Sequence, residues 1–82
     1  MSAIQAISQY LAYKFPWWGV CHLKYDLIQK NVYIHCQTPE CRAAILRDAE
    51  ALAYLDIGVE RFIVVYPGYQ DITIPYIPGK TA

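Results

Sequence analysis

Two histidines and three polar neighbours are the residues best suited to acid–base or metal chemistry. His22 and His35 fall in stretches that alternate between apolar and polar residues, and both take polar positions along with Lys24, Asp26 and Tyr33. Alternate residues of an extended chain share one face, so these five are expected to lie together. A zinc site needs three or four suitable ligands, and two histidines beside a lysine do not supply them. The pattern favours a solvated or interface surface, with proton chemistry as the alternative.

The three cysteines, Cys21, Cys36 and Cys41, contain no C-x-x-C pair. In a reducing compartment such cysteines behave as small buried apolar residues. Cys41 falls in the first turn of a predicted helix, close to His35 in sequence, where a thiol can become a nucleophile. An activated cysteine also needs an adjacent base and an accessible cleft. Packing in the core is therefore the favoured role, and a redox or nucleophilic role for Cys41 is the alternative.

The most conspicuous local feature is the tryptophan pair Trp17-Trp18. Tryptophan is enriched in binding hot spots, and it also closes the open end of a small core. We expect one ring to point inward and the other to face a partner or the C-terminal segment.

A helix must precede these tryptophans. Ser2 is a suitable N-cap, and the helix should end near Lys14 because Phe15 precedes Pro16. Its apolar stripe consists of Ile4, Ile7 and Leu11.

From Val20 the apolar period changes to two, which predicts a β-hairpin. A short turn at Gln29-Lys30 gives a register in which the apolar residues of both strands share one face. The predicted opposed pairs are Leu27 with Val32, Tyr25 with Ile34, and Leu23 with Cys36.

Thr38-Pro39, with Glu40 after it, predicts the start of a second helix that runs to about Leu55. Five apolar residues from Phe62 to Tyr66 follow, between Gly58 and the Pro67-Gly68 break. They predict a short strand buried on both faces.

The last segment, residues 68–82, alternates weakly but contains Pro75 and Pro78, which exclude a central strand. We therefore predict an extended C-terminal arm or an edge strand. The predicted fold is α+β: a two-layer αββαβ sandwich with a three-stranded sheet, two helices on one face, and the arm. Residues 1–82 form a single domain with its core at about 2–67. The third strand pairs with the first or the second strand, and pairing with the first is favoured.

The order of these elements resembles a small domain of unknown function found in uncharacterised cyanobacterial proteins. The resemblance rests on the third strand, Val59-Glu60-Arg61-Phe62-Ile63-Val64-Val65-Tyr66, and on the later Asp71 and Ile74-Pro75-Tyr76. It covers roughly residues 4–76. The chain departs from that pattern in its paired tryptophans and in Ile63, where a polar residue is expected. The resemblance implies no activity.

Charge balance and apolar content disfavour some classes of protein and favour others. The chain has seven basic and seven acidic residues, so it lacks the basic excess typical of nucleic-acid binders. It contains no run of about 20 apolar residues and no signal-peptide pattern, which predicts a cytoplasmic protein without membrane attachment. Apolar residues make up 56% of the chain, and this excess suggests a covered face or self-association.

The sequence therefore predicts a non-enzymatic interaction module that self-associates as a dimer or binds another protein, with no metal and no cofactor. If Phe62 and Val64 face the helices, Ile63 and Val65 lie on the opposite, uncovered face. The predicted contact residues are Tyr33, His35, Ile63, Val65, Tyr69, Ile72, Ile74, Tyr76, Trp17 and Trp18. One alternative is a small enzyme with a histidine or thiol site at the dimer seam. The least favoured is a binder of single-stranded nucleic acid.

Overall fold

A computed structural model describes residues 2–79, in which helices and strands form two layers. The elements are α1 (Ala3–Lys14), a 3-10 turn (Pro16–Trp18), β1 (Cys21–Asp26), β2 (Asn31–Cys36), α2 (Pro39–Arg47), α3 (Ala49–Ala53), β3 (Arg61–Val65) and β4 (Ile72–Pro75). The four strands form one mixed sheet in the order β1-β2-β3-β4. Buried residues from the helices and from one face of the sheet make a single core.

The structure confirms the predicted starts of both helices and the end of the first helix at Lys14. Ser2 and Gln5 form a capping box, in which each side chain accepts a hydrogen bond from the other residue's backbone N–H. The hydroxyl of Thr38 accepts a hydrogen bond of 3.0 Å from the backbone N–H of Cys41, and Pro39 is the first residue of α2. Both helices therefore begin where their capping residues stand in the sequence.

The prediction of one continuous second helix is wrong. The helix is interrupted at Asp48, where φ is −98° and ψ is 14°, and the chain continues as the short helix α3. The interruption coincides with a tertiary contact, because the Asp48 carboxylate is held by two indole N–H groups from the turn after α1.

The hairpin forms, but its predicted register is wrong by two residues. Leu23 lies opposite Ile34 and Tyr25 opposite Val32. A shift of two residues keeps every side chain on its predicted face, since the side-chain period of a strand is two. The observed register leaves Leu27 in a four-residue turn, exposed to solvent.

The predicted three-stranded sheet with two helices and an extended arm is wrong as well. Residues 72–75 of the predicted arm form β4, antiparallel to β3, and the sheet has four strands beside three α-helices. Pro75 is tolerated because it ends an edge strand, where its missing N–H interrupts no ladder. Residues 80–82 of the arm lie outside the described residues.

The predicted pairing of the third strand with the first is also wrong. β3 lies parallel to β2, with Val32 opposite Phe62 and Ile34 opposite Val64. The helical connection thus returns the chain beside the strand it left, as in a β-α-β unit. β1 is left as one edge of the sheet and β4 as the other.

The largest fully buried side chains are Ile34, Ile45, Leu52, Val32 and Val64, so the core lies between α2, α3 and the two central strands. None of the helices within residues 2–79 is long and apolar enough to cross a bilayer.

Candidate functional site

The face of the sheet turned away from the helices carries an apolar centre. The parallel ladder places Tyr33 beside Ile63 and His35 beside Val65. All four side chains are half-buried, and neither Ile63 nor Val65 belongs to the core or packs against it. We call Tyr33, His35, Ile63 and Val65 the open-face patch.

Polar residues surround the open-face patch. His22 lies directly opposite His35 on β1, Lys24 lies opposite Tyr33, and Thr73 on β4 lies opposite Ile63. His22, Lys24 and Thr73 are exposed. An apolar centre within a polar rim is the usual arrangement of a protein–protein contact surface.

One end of this face is fixed by side-chain hydrogen bonds. Arg61 donates from Nη1 to Oδ1 of Asn31 over 3.0 Å, and Asn31 donates from Nδ2 to Oε1 of Gln29 over 3.3 Å. Asn31 is buried, and these bonds satisfy its amide. The strand ends that hold Tyr33 and Ile63 are therefore tied together by side chains as well as by the ladder.

The three cysteines lie close together beneath the sheet rather than on the open face. Cys21 and Cys36 are opposed on β1 and β2, and the thiols of both interact with that of Cys41 in the first turn of α2. Burial, reinforced by Cys41, raises the pKa of Cys21 to about 11 and that of Cys36 to about 12. Such thiols stay protonated at neutral pH, which opposes nucleophilic chemistry at these two positions.

A shallow cleft of about 410 Å³ lies at the carboxyl ends of the parallel strands β2 and β3. It is lined by His35, Cys36, Gln37, Val65, Tyr66 and Pro67. Its lining residues with chemistry suited to an acid–base or nucleophilic step are His35, Cys36 and Tyr66, and the raised pKa of Cys36 keeps that thiol neutral. Among the described residues, no group of three or more His, Cys, Asp and Glu side chains is arranged to hold a metal ion.

The two tryptophans have different surroundings, as expected. Trp18 is 5% exposed and stacks on Phe15 with ring centroids 4.3 Å apart, whereas Trp17 is 59% exposed. Both donate from Nε1 to Oδ2 of Asp48 over 2.8 Å. Trp17 is thus held at the surface by a residue about 30 positions away, facing solvent rather than the C-terminal strand.

None of the predicted contact residues of the C-terminal segment is brought to the open-face patch. Ile74 is buried in the core and Ile72 packs against it, so both face the helices and lie outside the open face. Tyr69 is exposed, with the guanidinium of Arg42 over its ring at 4.5 Å. Half-buried Tyr76 interacts with Asp56, and desolvation and this carboxylate raise the pKa of Tyr76.

Sequence reasoning missed two features of these surfaces. Asp48 lies within the single second helix that the sequence predicts, and no local signal connects it to tryptophans about 30 residues earlier. The direct opposition of His22 and His35 was missed because the predicted register was shifted by two residues. The correct register follows from a four-residue turn, in which Asp26 accepts hydrogen bonds from the backbone N–H groups of Ile28 and Gln29.

Comparisons with family models, with curated proteins and with solved structures give no match to this chain. They add nothing to the resemblance that the third strand suggests.

Proposed function

We propose that the protein is a non-enzymatic interaction module that binds a second copy of itself through the open-face patch. The observation that carries the proposal is the position of Ile63 and Val65. They lie on an inner strand, face away from the helices, and have no described segment packed over them. Monomeric proteins seldom leave such an apolar centre in contact with water.

A second copy fits this face because the contact would be self-complementary. Two sheets stack about 10 Å apart with their apolar side chains interleaved. A two-fold axis through the patch would bring Ile63 and Val65 of each copy against the same residues of the other. The chain has no formal net charge, so no overall repulsion opposes the association.

The expected free energy of this contact is modest. Ile63 and Val65 are already half-buried, so covering what remains contributes on the order of 1 kcal/mol for each side chain. The four aliphatic side chains of a dimer then supply about 4 kcal/mol, and the aromatic ring of Tyr33 adds an anchor of the kind that dominates interfaces. Because about 4 kcal/mol corresponds to a dissociation constant of about 1 mM and the Tyr33 rings add to it, we expect a weak association in the high micromolar to millimolar range.

The test is the molar mass in solution, measured by light scattering and sedimentation velocity over a range of concentrations. Replacing Ile63 and Val65 together by lysine should prevent the face contact, because each copy would bury two unpaired ammonium groups. The matched control is Gln9→Lys with Gln70→Lys, which adds the same charge at exposed positions outside the patch. Circular dichroism would confirm that both variants are folded. An unchanged mass for the Ile63→Lys, Val65→Lys variant would overturn the proposal.

A further inference from the structure

The free edge of β1 is a surface distinct from the open-face patch. β1 has a ladder partner on one side only, and its six residues include neither proline nor glycine. The opposite edge, β4, is four residues long and ends in Pro75. Short length, proline and charged side chains, lysine above all, protect an edge strand from pairing with another chain. β1 is longer than β4 and has no proline, so Lys24 is its main protecting residue.

The most exposed aliphatic side chains of residues 2–79 stand at the two ends of this strand. Val20 precedes β1 and is 77% exposed, while Leu27 and Ile28 follow it and are 72% and 93% exposed. Single exposed aliphatic residues need no explanation, but three that bracket one unpaired edge form a pattern.

An apolar cleft adjoins the same edge. It has a volume of about 230 Å³ and lies between α1 and the start of β1. Its main lining residues are Leu11, Phe15, Trp18, Val20, Cys21 and Leu23. The cleft is therefore large enough for one aliphatic side chain and opens beside the strand edge.

We infer that β1 pairs antiparallel with β1 of a second copy, and that Leu27 of each copy fills the cleft of the other. Pairing about a two-fold axis normal to the sheet keeps both helical layers on the same side and joins the two sheets into one. The partner is again a second copy, so the inference rests on the proposed self-association, but it uses a different surface.

One register brings the exposed aliphatic residues at both ends of β1 into contact with the second copy. With the axis at Lys24, His22 lies opposite Asp26 of the second copy, a favourable polar pair. The turn that begins at Leu27 then lies beside Val20 and Cys21 of the second copy, and because Cys21 lines the cleft, Leu27 arrives at its mouth. A shift of two residues either way would separate His22 from Asp26.

This register has one unfavourable feature, which provides a test. The two copies of Lys24 would face each other at the axis, and like charges directly opposed on neighbouring strands are destabilising. Lys24 is exposed, so its replacement should leave the fold intact. In the Ile63→Lys, Val65→Lys background, which removes the open-face contact, Lys24→Thr is expected to strengthen the edge contact several-fold.

The first experiment compares molar masses of four proteins. With both contacts in use the wild type forms assemblies larger than a dimer, and the Ile63→Lys, Val65→Lys variant is a dimer joined by its edges. The Leu27→Lys, Ile28→Lys variant, altered only at exposed positions, is a dimer joined by its open faces, and the combined variant is a monomer. An unchanged mass for the Leu27→Lys, Ile28→Lys variant overturns the edge contact, and would leave an extended segment of another protein as the occupant of this edge. An unchanged mass for the face variant overturns only the proposed function.

The second experiment tests the axis directly by oxidation with diamide. Lys24→Cys should form a disulfide-linked dimer, because the two introduced thiols meet at the axis. The control His22→Cys should not form this disulfide, because its two introduced thiols would lie four residues apart along the paired strands. The wild type controls for the native cysteines. Equal cross-linking of both variants, or none in Lys24→Cys, would overturn the register.

Discussion

Asp48 offers the sharpest test of how the two layers are joined. A single carboxylate oxygen, Oδ2, accepts hydrogen bonds of 2.8 Å from Nε1 of both Trp17 and Trp18. The perturbation is Asp48→Ala, which removes the acceptor and leaves both rings in place. Because Asp48 also marks the break between α2 and α3, the contact connects the turn after α1 to the middle of the second helical segment.

The expected loss follows from the exposure of each ring. Trp18 is 5% exposed, so its N–H would be left without an acceptor or a water molecule. Leaving a buried donor unsatisfied costs roughly 1–3 kcal/mol. Trp17 is 59% exposed, so water replaces the carboxylate at a cost of roughly 0–0.5 kcal/mol. The sum is about 2 kcal/mol, which lowers the melting temperature of a domain this small by roughly 8–16 °C.

The assay is urea denaturation followed by far-UV circular dichroism, since the substitution itself alters indole fluorescence. Asp48→Asn keeps an acceptor oxygen and should lose about half as much stability. In double-mutant cycles, Asp48→Ala should couple to Trp18→Phe by about 1–2 kcal/mol and to Trp17→Phe by less than about 0.5 kcal/mol. A cost below about 0.5 kcal/mol for Asp48→Ala, or equal coupling to the two tryptophans, would refute this reasoning.

Three further predictions concern the thiols, the hairpin turn and β4. Because burial raises the pKa of Cys36 from 9.0 to about 12, the unfolded chain loses this proton first, and stability should fall as the pH rises from 9 towards 12. Cys36→Ala should flatten this alkaline decline in urea titrations, and an identical slope would contradict the assignment. Lys30 has a φ of 58°, so Lys30→Gly should raise the free energy of unfolding by about 0.5–1 kcal/mol; a loss would show that its side chain stabilises the turn. Ile74→Ala should cost about 2–3 kcal/mol in the same assay and Thr73→Ala less than about 0.5 kcal/mol, because only Ile74 is buried. Equal costs would mean that β4 does not pack on the core as described.

Features encoded by neighbouring residues could be predicted from the sequence. The caps at Ser2 and Thr38 and the proline after Phe15 fix where helices start and stop through contacts within one turn. The turn at Pro67-Gly68 is also encoded by neighbouring residues. Gly68 adopts a φ of 86°, and the N–H of Tyr69 donates to the carbonyl of Tyr66, which closes the turn. Each of these contacts spans only a few residues, so the chain carries the whole signal in one place.

Features that depend on distant partners could not be predicted. The sequence predicts an arm or an edge strand for residues 68–82, because their two prolines outweigh a short alternation. Residues 72–75 form a strand because they pair with β3, and their own sequence does not reveal that β3 offers them a free edge. The hairpin register depended on the length of a turn, where a shift of two residues satisfies the same apolar pattern. The contact of Asp48 could not be predicted, because its two tryptophan partners lie on another element.

For the candidate surfaces, the sequence by itself determined which residues share a face. The period of two places Tyr33 with His35 and Ile63 with Val65 whatever the order of the strands. Only the tertiary structure decided which of these pairs are neighbours, because strand order is set by how the helical connection packs against the sheet. It made β3 an inner strand, which brought Ile63 and Val65 beside Tyr33 and His35, and it left β1 as a free edge. Alternation is a property of the chain, whereas an uncovered face or an unpaired edge is a property of the packed fold.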